Sequence, residues 1–205
     1  MALPVLYSYR RCPYAMRARM ALHYAGIKVD IREVSLKAKP AHMLQVSPKG
    51  TVPVLIFEQG CVIEQSLDIM RWALSRHDPD NWLGDVAAEA EIAMLIVMND
   101  GDFKRALDQY KYAIRFPDHP PTVYREHAEV FLRQLEMRLQ QHQYLLAQGL
   151  SMADIAIFPF VRQFAMVDEP WFASAAYPKV RAWLESLIAL PLFDAIMQKY
   201  PTWVD

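Results

Sequence analysis

Cysteine is scarce in this chain: Cys12 and Cys61 are the only two in 205 residues. Two cysteines are too few for the disulfide framework of a small secreted domain, so both are read as thiols. Long apolar runs are missing too. The most apolar internal stretch, Ile92 to Met98, falls far short of the roughly 20 residues needed to span a bilayer, which excludes a membrane role of that kind. The opening residues Met1-Ala2-Leu3-Pro4 lack the basic start, apolar stretch and small-residue cleavage site of a secretory signal, so a cytoplasmic location is expected. Nor is there a strong net charge. The formal value is −1, which argues against a nucleic-acid partner. No internal repeat stands out.

What is present is a globular balance, 54% hydrophobic and 22% charged, in a chain long enough for one large domain or two small ones. The small net charge hides an asymmetry. Residues 1–77 carry eleven Lys and Arg against five Asp and Glu, a net of +6, and the remainder carries −7. A basic first part suits a small anionic ligand there.

Leu3 to Tyr9 is short, apolar and aromatic; Pro13 to Ala25 follows as a helix with Gly26 as its stop; Val29 to Val34 alternates apolar and charged residues as a half-exposed strand. These make a β-α-β unit, with parallel strands and a right-handed crossover expected. After a variable segment around Pro40 to Val46, the runs Val52–Phe57 and Cys61–Glu64 read as a hairpin with Gly60 in its turn, and Ser66 to Arg76 as a helix. The expected result is an α/β, thioredoxin-like domain over residues 1–77. Asp78-Pro79-Asp80-Asn81 and Gly84 form a turn-rich linker over 78–85. From 86 to 205 strand signals vanish and helical patterns alternate with prolines, so an all-α bundle is expected there. Its central helix is Met152 to Val167, apolar nearly all round, with Ser151 and Asp154 forming a capping pair at its start.

Cys12 carries the chemistry. It lies between a strand end and a helix whose first residue is Pro13, where unpaired N–H groups and the helix dipole favour an anion. Its thiol is expected to ionise more easily than a free cysteine near pKa 8.5, with Arg10, Arg11 and Arg17 adding positive charge. Cys61, among Val62 and Ile63, is read as a buried structural cysteine.

Cys12-Pro13-Tyr14-Ala15 resembles the active-site segment of glutaredoxins, with Ala15 where the dithiol form has a second cysteine. The longer stretch from Leu6 to Gly26-Ile27, including Arg17 and Arg19, resembles the opening of omega-class glutathione transferases. That resemblance extends through Ser47-Pro48-Lys49-Gly50-Thr51-Val52-Pro53-Val54-Leu55 and Glu64-Gln65-Ser66-Leu67-Asp68-Ile69 to Ser151-Met152-Ala153-Asp154. It implies the glutathione transferase architecture, glutathione as co-substrate, no metal, a cysteine-type glutaredoxin-like site and dimerisation as the family habit. The resemblance implies a cis Val52–Pro53 bond; an isolated Val-Pro favours trans, but X-Pro alone makes cis accessible, about 0.5–1 kcal/mol above trans.

The resemblance places glutathione on Cys12, Pro13, Tyr14, Thr51, Val52, Pro53, Gln65 and Ser66. The Val52 backbone would pair with its cysteinyl part, and Gln65 with Ser66 at a helix start would hold its γ-glutamyl carboxylate. Where omega-class members offer a lysine to the glycyl carboxylate, this chain has Val46, leaving Gln45, Lys37 or Lys49 as substitutes. Tyr7 and Ser8, which other classes use on the glutathione thiol, are assigned to packing. An acceptor pocket between the domains is expected, with Tyr110, Tyr112, Arg115, Phe116, Phe164 and Trp171 as its wall. Three functions remain open: a thiol transferase or reductase acting through a Cys12 mixed disulfide, a transferase conjugating glutathione to small electrophiles, and a non-enzymatic protein-contact member like the stringent starvation proteins.

Overall fold

The computed structural model describes residues 2–204, which divide by packing into two compact units, residues 2–79 with 190–204, and Asp80–Ala189. The first begins with β1 (Val5–Ser8), α1 (Pro13–Tyr24) and β2 (Asp30–Glu33). There follow α2 (Ala41–Val46), β3 (Val54–Ile56), β4 (Val62–Ile63) and α3 (Ser66–Arg76). The sheet order is β2-β1-β3-β4; β1 and β2 run parallel, from Val5 opposite Asp30 to Ser8 opposite Glu33, and the other pairs are antiparallel. The expected β-α-β and hairpin are both present.

Alternation along β1 decides what each face meets. Val5, Tyr7 and Tyr9 belong to a cluster with Val34, Met43 of α2, Val54 and Ile56. Leu6 and Ser8 point the other way, and the Ser8 hydroxyl meets Arg19 of α1. Helix α1 stops where the sequence says it must. Gly26, at φ 69°, donates to the His23 carbonyl while Ile27 donates to that of Leu22, a paired closure that needs left-handed backbone at the glycine.

The second unit is helical: α4 (Val86–Met98), α5 (Lys104–Lys111), α6 (Pro121–Leu139), α7 (Met152–Ala165), α8 (Glu169–Ser174) and α9 (Pro178–Ile188). A π-helical turn at Asn99–Phe103 joins α4 to α5. Helix α7 is buried nearly throughout, as its all-round apolar sequence requires. The Asp154 carboxylate accepts the Ser151 N–H and hydroxyl at its start, then also the Leu145 N–H and the Trp183 indole N–H of α9. A residue read as a helix cap is therefore a four-bond hub.

The C-terminal segment departs from the sequence reading, which gave all of 86–205 to the helical bundle. Helix α10 (Pro191–Ile196) packs on α1, the Ile196 carbonyl accepts from Arg19, and Trp203 donates its N–H to the Glu33 carbonyl on the free edge of β2. An unpaired strand edge offers those hydrogen bonds, and the tail takes one of them. Among the described residues no helix is long and apolar enough to cross a membrane.

Candidate active site

Cys12 is the N-cap of α1, in extended conformation at φ −76° and ψ 122°, with Pro13 in the first turn and no acidic residue there. Its N–H closes a tight turn onto the Tyr9 carbonyl at 3.0 Å, and its own carbonyl accepts the Met16 N–H at 2.9 Å. The side chain is partly exposed. Its sulfur lies 3.9 Å from the Val52 carbonyl oxygen, and the Val52–Pro53 peptide is cis. Sequence positions forty residues apart thus meet at the mouth of one helix.

The other residues named from the sequence lie as follows. Tyr14, half-buried, has the buried Arg17 guanidinium 5.4 Å from its ring centre. Thr51 is exposed and Pro53 buried. Lys49 donates to the Glu64 carbonyl at 2.7 Å and Ser47 donates to the Glu64 carboxylate, so segment 47–53 is tied to the strand that leads into Gln65. One detail differs from expectation. The N-cap of α3 is exposed Gln65, with no side-chain cap bond, and Ser66 is the buried first helical residue. Asp68 lies in that first turn.

Tyr7 and Ser8 are sealed from solvent. The Tyr7 hydroxyl is bonded to His42 Nδ1 and Arg32, and Ser8 to Arg19. Neither can touch a ligand thiol, in keeping with packing roles. Val46 packs against the apolar cluster of the sheet, so the glycyl-carboxylate candidates remain exposed Lys37, Gln45 and Lys49.

Two family models fit the chain: the glutathione S-transferase N-terminal domain over residues 6–81 and the glutathione S-transferase C-terminal domain over residues 103–186. The chain belongs to the glutathione transferase superfamily. A rat protein, glutathione S-transferase omega-1, is 24% identical over 182 residues, covering 89% of this chain and 75% of its own. A probable glutathione transferase of Aplysia californica is 44% identical over a shorter stretch of 55 residues, 27% of this chain and 60% of its own. Among solved structures, glutathione transferase Omega 3C from Trametes versicolor superposes with a TM-score of 0.80 at 23% identity, covering 97% of this chain and 90% of that one. A Pseudomonas fluorescens family member, solved with two glutathione molecules bound, gives 0.81 at 19% identity over 95% and 92%.

Two expectations about this transferase are corrected. Cys61 is exposed rather than buried: it precedes β4, which holds only Val62 and Ile63, and so lies in the hairpin turn region and not mid-strand. Of the six residues proposed as a pocket wall, Phe164 and Tyr110 are core. Their rings are 5.5 Å apart, and Phe164 also packs on Phe103, Trp171 and Phe172. Tyr112 and Arg115 are exposed, with Phe116 and Trp171 half-buried. Sequence reasoning also left Arg19 without a structural role. Arg19 is 4% exposed and reaches the loop that carries Cys12; its spacing of seven from Cys12, two helical turns on one face, was the available signal.

Proposed function

We propose that this transferase is a glutathione-dependent thiol transferase in which Cys12 is the nucleophile. The observation that carries the reading is the partly exposed Cys12 sulfur at the first turn of α1, 3.9 Å from the carbonyl of Val52 ahead of the cis proline. A helix mouth with no acidic side chain favours the thiolate, and the adjacent backbone suits β-type pairing with a peptide thiol.

In the first step the Cys12 thiolate attacks the glutathione sulfur of a mixed disulfide between glutathione and a substrate thiol. The substrate leaves as its thiolate and takes a proton from water, and Cys12 is left disulfide-bonded to glutathione. A second glutathione thiolate then attacks the glutathione sulfur of that adduct, releasing oxidised glutathione and restoring the Cys12 thiolate. The net reaction oxidises one glutathione thiol, reduces the substrate sulfur to a thiol, and joins the incoming glutathione to the one already in disulfide linkage. Pro13 and Tyr14 flank the sulfur, Thr51, Val52 and Pro53 form the backbone groove, and Gln65 with Ser66 at the start of α3 takes the γ-glutamyl carboxylate. The free thiols fit a cytosolic setting.

Cys12→Ser is expected to abolish reduction of a glutathionylated substrate while leaving conjugation of glutathione to a small electrophile intact or raised. Retention of disulfide reduction by that variant overturns the reading. The burial of Tyr7 and Ser8 supports Cys12 over the residues that conjugating members use.

A further inference from the structure

Helix α1 buries two guanidinium-bearing residues, Arg17 and Arg19, and burial is expensive for a charge. Arg19 offsets that cost with four acceptors: the Ser8 hydroxyl, the Tyr9 carbonyl at 3.3 Å, the Arg10 carbonyl at 2.8 Å and the Ile196 carbonyl at 3.1 Å. None of the four is charged. The nearest acidic group that Arg19 feels is Glu33, and one oxygen of that carboxylate is engaged by the Arg10 N–H at 2.8 Å. The guanidinium makes these four hydrogen bonds, and among the described residues no carboxylate is bound to it.

Three of the acceptors are consecutive residues, Ser8, Tyr9 and Arg10, on the segment between β1 and α1. The Tyr9 carbonyl that accepts from Arg19 also accepts the Cys12 N–H that closes the turn. One rigid planar fork therefore fixes the backbone that aims Cys12, and a lysine at this position could not hold three acceptors in that fixed geometry. We propose that Arg19 is the positioning residue for Cys12, locking the 8–10 segment in place and supplying from beneath it the buried positive charge that holds the sulfur as thiolate.

The charged and titratable groups that act on Arg19 are Glu33 on β2, Cys12 at the helix start, Tyr200 on the C-terminal segment and Arg10 in the turn before α1. Burial lowers the Arg19 pKa to about 10, with Glu33 and Cys12 pulling the other way, so it stays protonated at neutral pH. A cation shielded from water acts over a longer range than one on the surface, because less solvent screens it. The proposal rests on Cys12 being the reactive residue.

The test uses the full chain carrying Cys61→Ser, so that a single thiol reports, and follows the rate of alkylation by iodoacetamide against pH with no glutathione present. The parent is expected to show a midpoint at least one unit below the 8.5 of a free cysteine. Arg19→Met is expected to raise that midpoint by about one unit or more, slowing alkylation at pH 6 about tenfold, in the range that one lost opposite charge produces. Arg19→Lys keeps the charge and loses the fork, so its midpoint is expected within about half a unit of the parent while the alkaline plateau falls several-fold. A folded Arg19→Met protein, by circular dichroism, whose profile coincides with the parent overturns the proposal. Arg19→Gln, neutral but able to donate, replaces it if the methionine variant does not fold. A parent midpoint at or above 8.5 overturns the proposal with no variant at all. Because alkylation needs neither glutathione nor turnover, a shifted Arg19→Met profile in a protein without disulfide activity would sink the functional reading and leave this one standing. An unmoved profile in an active protein does the reverse.

Discussion

Removing the Asp154 carboxylate tests the helical unit at its most connected polar point. Asp154 is fully buried; its Oδ1 accepts the Leu145 N–H and the Trp183 indole N–H, each at 2.9 Å, and its Oδ2 accepts the Ser151 N–H at 2.9 Å and hydroxyl at 2.7 Å. Burial pushes the carboxyl pKa up, and those four donors oppose the shift. Asp154→Ala strands three N–H donors; the Ser151 hydroxyl, free to rotate, counts for less. At about 1.5–3 kcal/mol for each bond to a charged acceptor, the gross loss is roughly 4–9 kcal/mol. Removing a desolvated charge returns part of that, and a water entering the vacated space returns more, which leaves about 3–5 kcal/mol. That is a large share of the 5–15 kcal/mol typical of a whole domain. Asp154→Asn keeps one acceptor oxygen and is expected to lose about 2 kcal/mol. Urea unfolding followed by tryptophan fluorescence, with Trp183 inside the network, gives the numbers. A loss under about 1 kcal/mol for Asp154→Ala would refute the view that this carboxylate ties α7, the preceding loop and α9 together.

Burial and the Glu129 carboxylate, 2.7 Å from its hydroxyl, push the Tyr177 pKa up to about 12. A raised folded-state value contributes stability that is whole below the unfolded pKa near 10 and is lost as pH rises toward 12, so Tyr177→Phe is expected to flatten the fall in urea midpoint between pH 9.5 and 11.5, by roughly 2 kcal/mol at most. Cys61→Ser is expected to change stability by less than about 0.5 kcal/mol, and titration of the native parent with a thiol reagent to count two reactive groups; a single reactive thiol would return Cys61 to the interior. Gly26→Ala meets no atom within 4 Å, so its expected cost, about 1 kcal/mol in thermal or urea unfolding, comes from the positive φ alone, and a neutral result would contradict that backbone reading.

Most of the first unit was legible because its signals are local. Val29 to Val34 alternates, β1 and β3 are short apolar runs, and Gly26 and Gly60 mark the ends of a helix and a hairpin strand with the positive φ that glycine permits. The start of α3 was legible to one residue, since Gln-Ser before an apolar run marks a helix start without saying which of the two stays outside it. What periodicity does not carry is the partner of a buried face. Phe193 and Ile196 sit three apart like any bundle residues, yet they pack in the first unit, so the tail was given to the wrong one. Arg19 shows the same limit from the other side. An arginine inside a helix reads as surface until its acceptors are known, and three of the four here are backbone carbonyls, which leave no trace in the sequence. Phe164 and Tyr110 were misplaced because an aromatic on a helix has the same signature in a core as at a pocket.

The number of thiols that can resolve a mixed disulfide on Cys12 follows from the sheet register. Position 15, one turn along α1, holds Ala15, fully buried and without sulfur. The remaining thiol is Cys61, and the hairpin decides whether it can reach. Cys12 sits beside Val52 before β3 begins, whereas the Cys61 carbonyl accepts the Phe57 N–H just after β3 ends. Strand β3, Val54–Ile56, lies between those two contacts, about 10 Å at 3.3 Å per residue. The two cysteines therefore flank opposite ends of the same strand, a wider gap than the roughly 7 Å between Cα atoms that a disulfide tolerates. In the proposed mechanism neither Ala15 nor Cys61 clears the adduct, so a diffusible thiol does, and the second half-reaction is expected to be first order in glutathione until binding saturates. Double-reciprocal plots against the two substrates are then expected to be parallel, and the Cys61→Ser variant to match the parent in both half-reactions. A resolving rate independent of glutathione concentration from the lowest values upward would show that some sulfur closer than Cys61 takes part, and the register argument would fall.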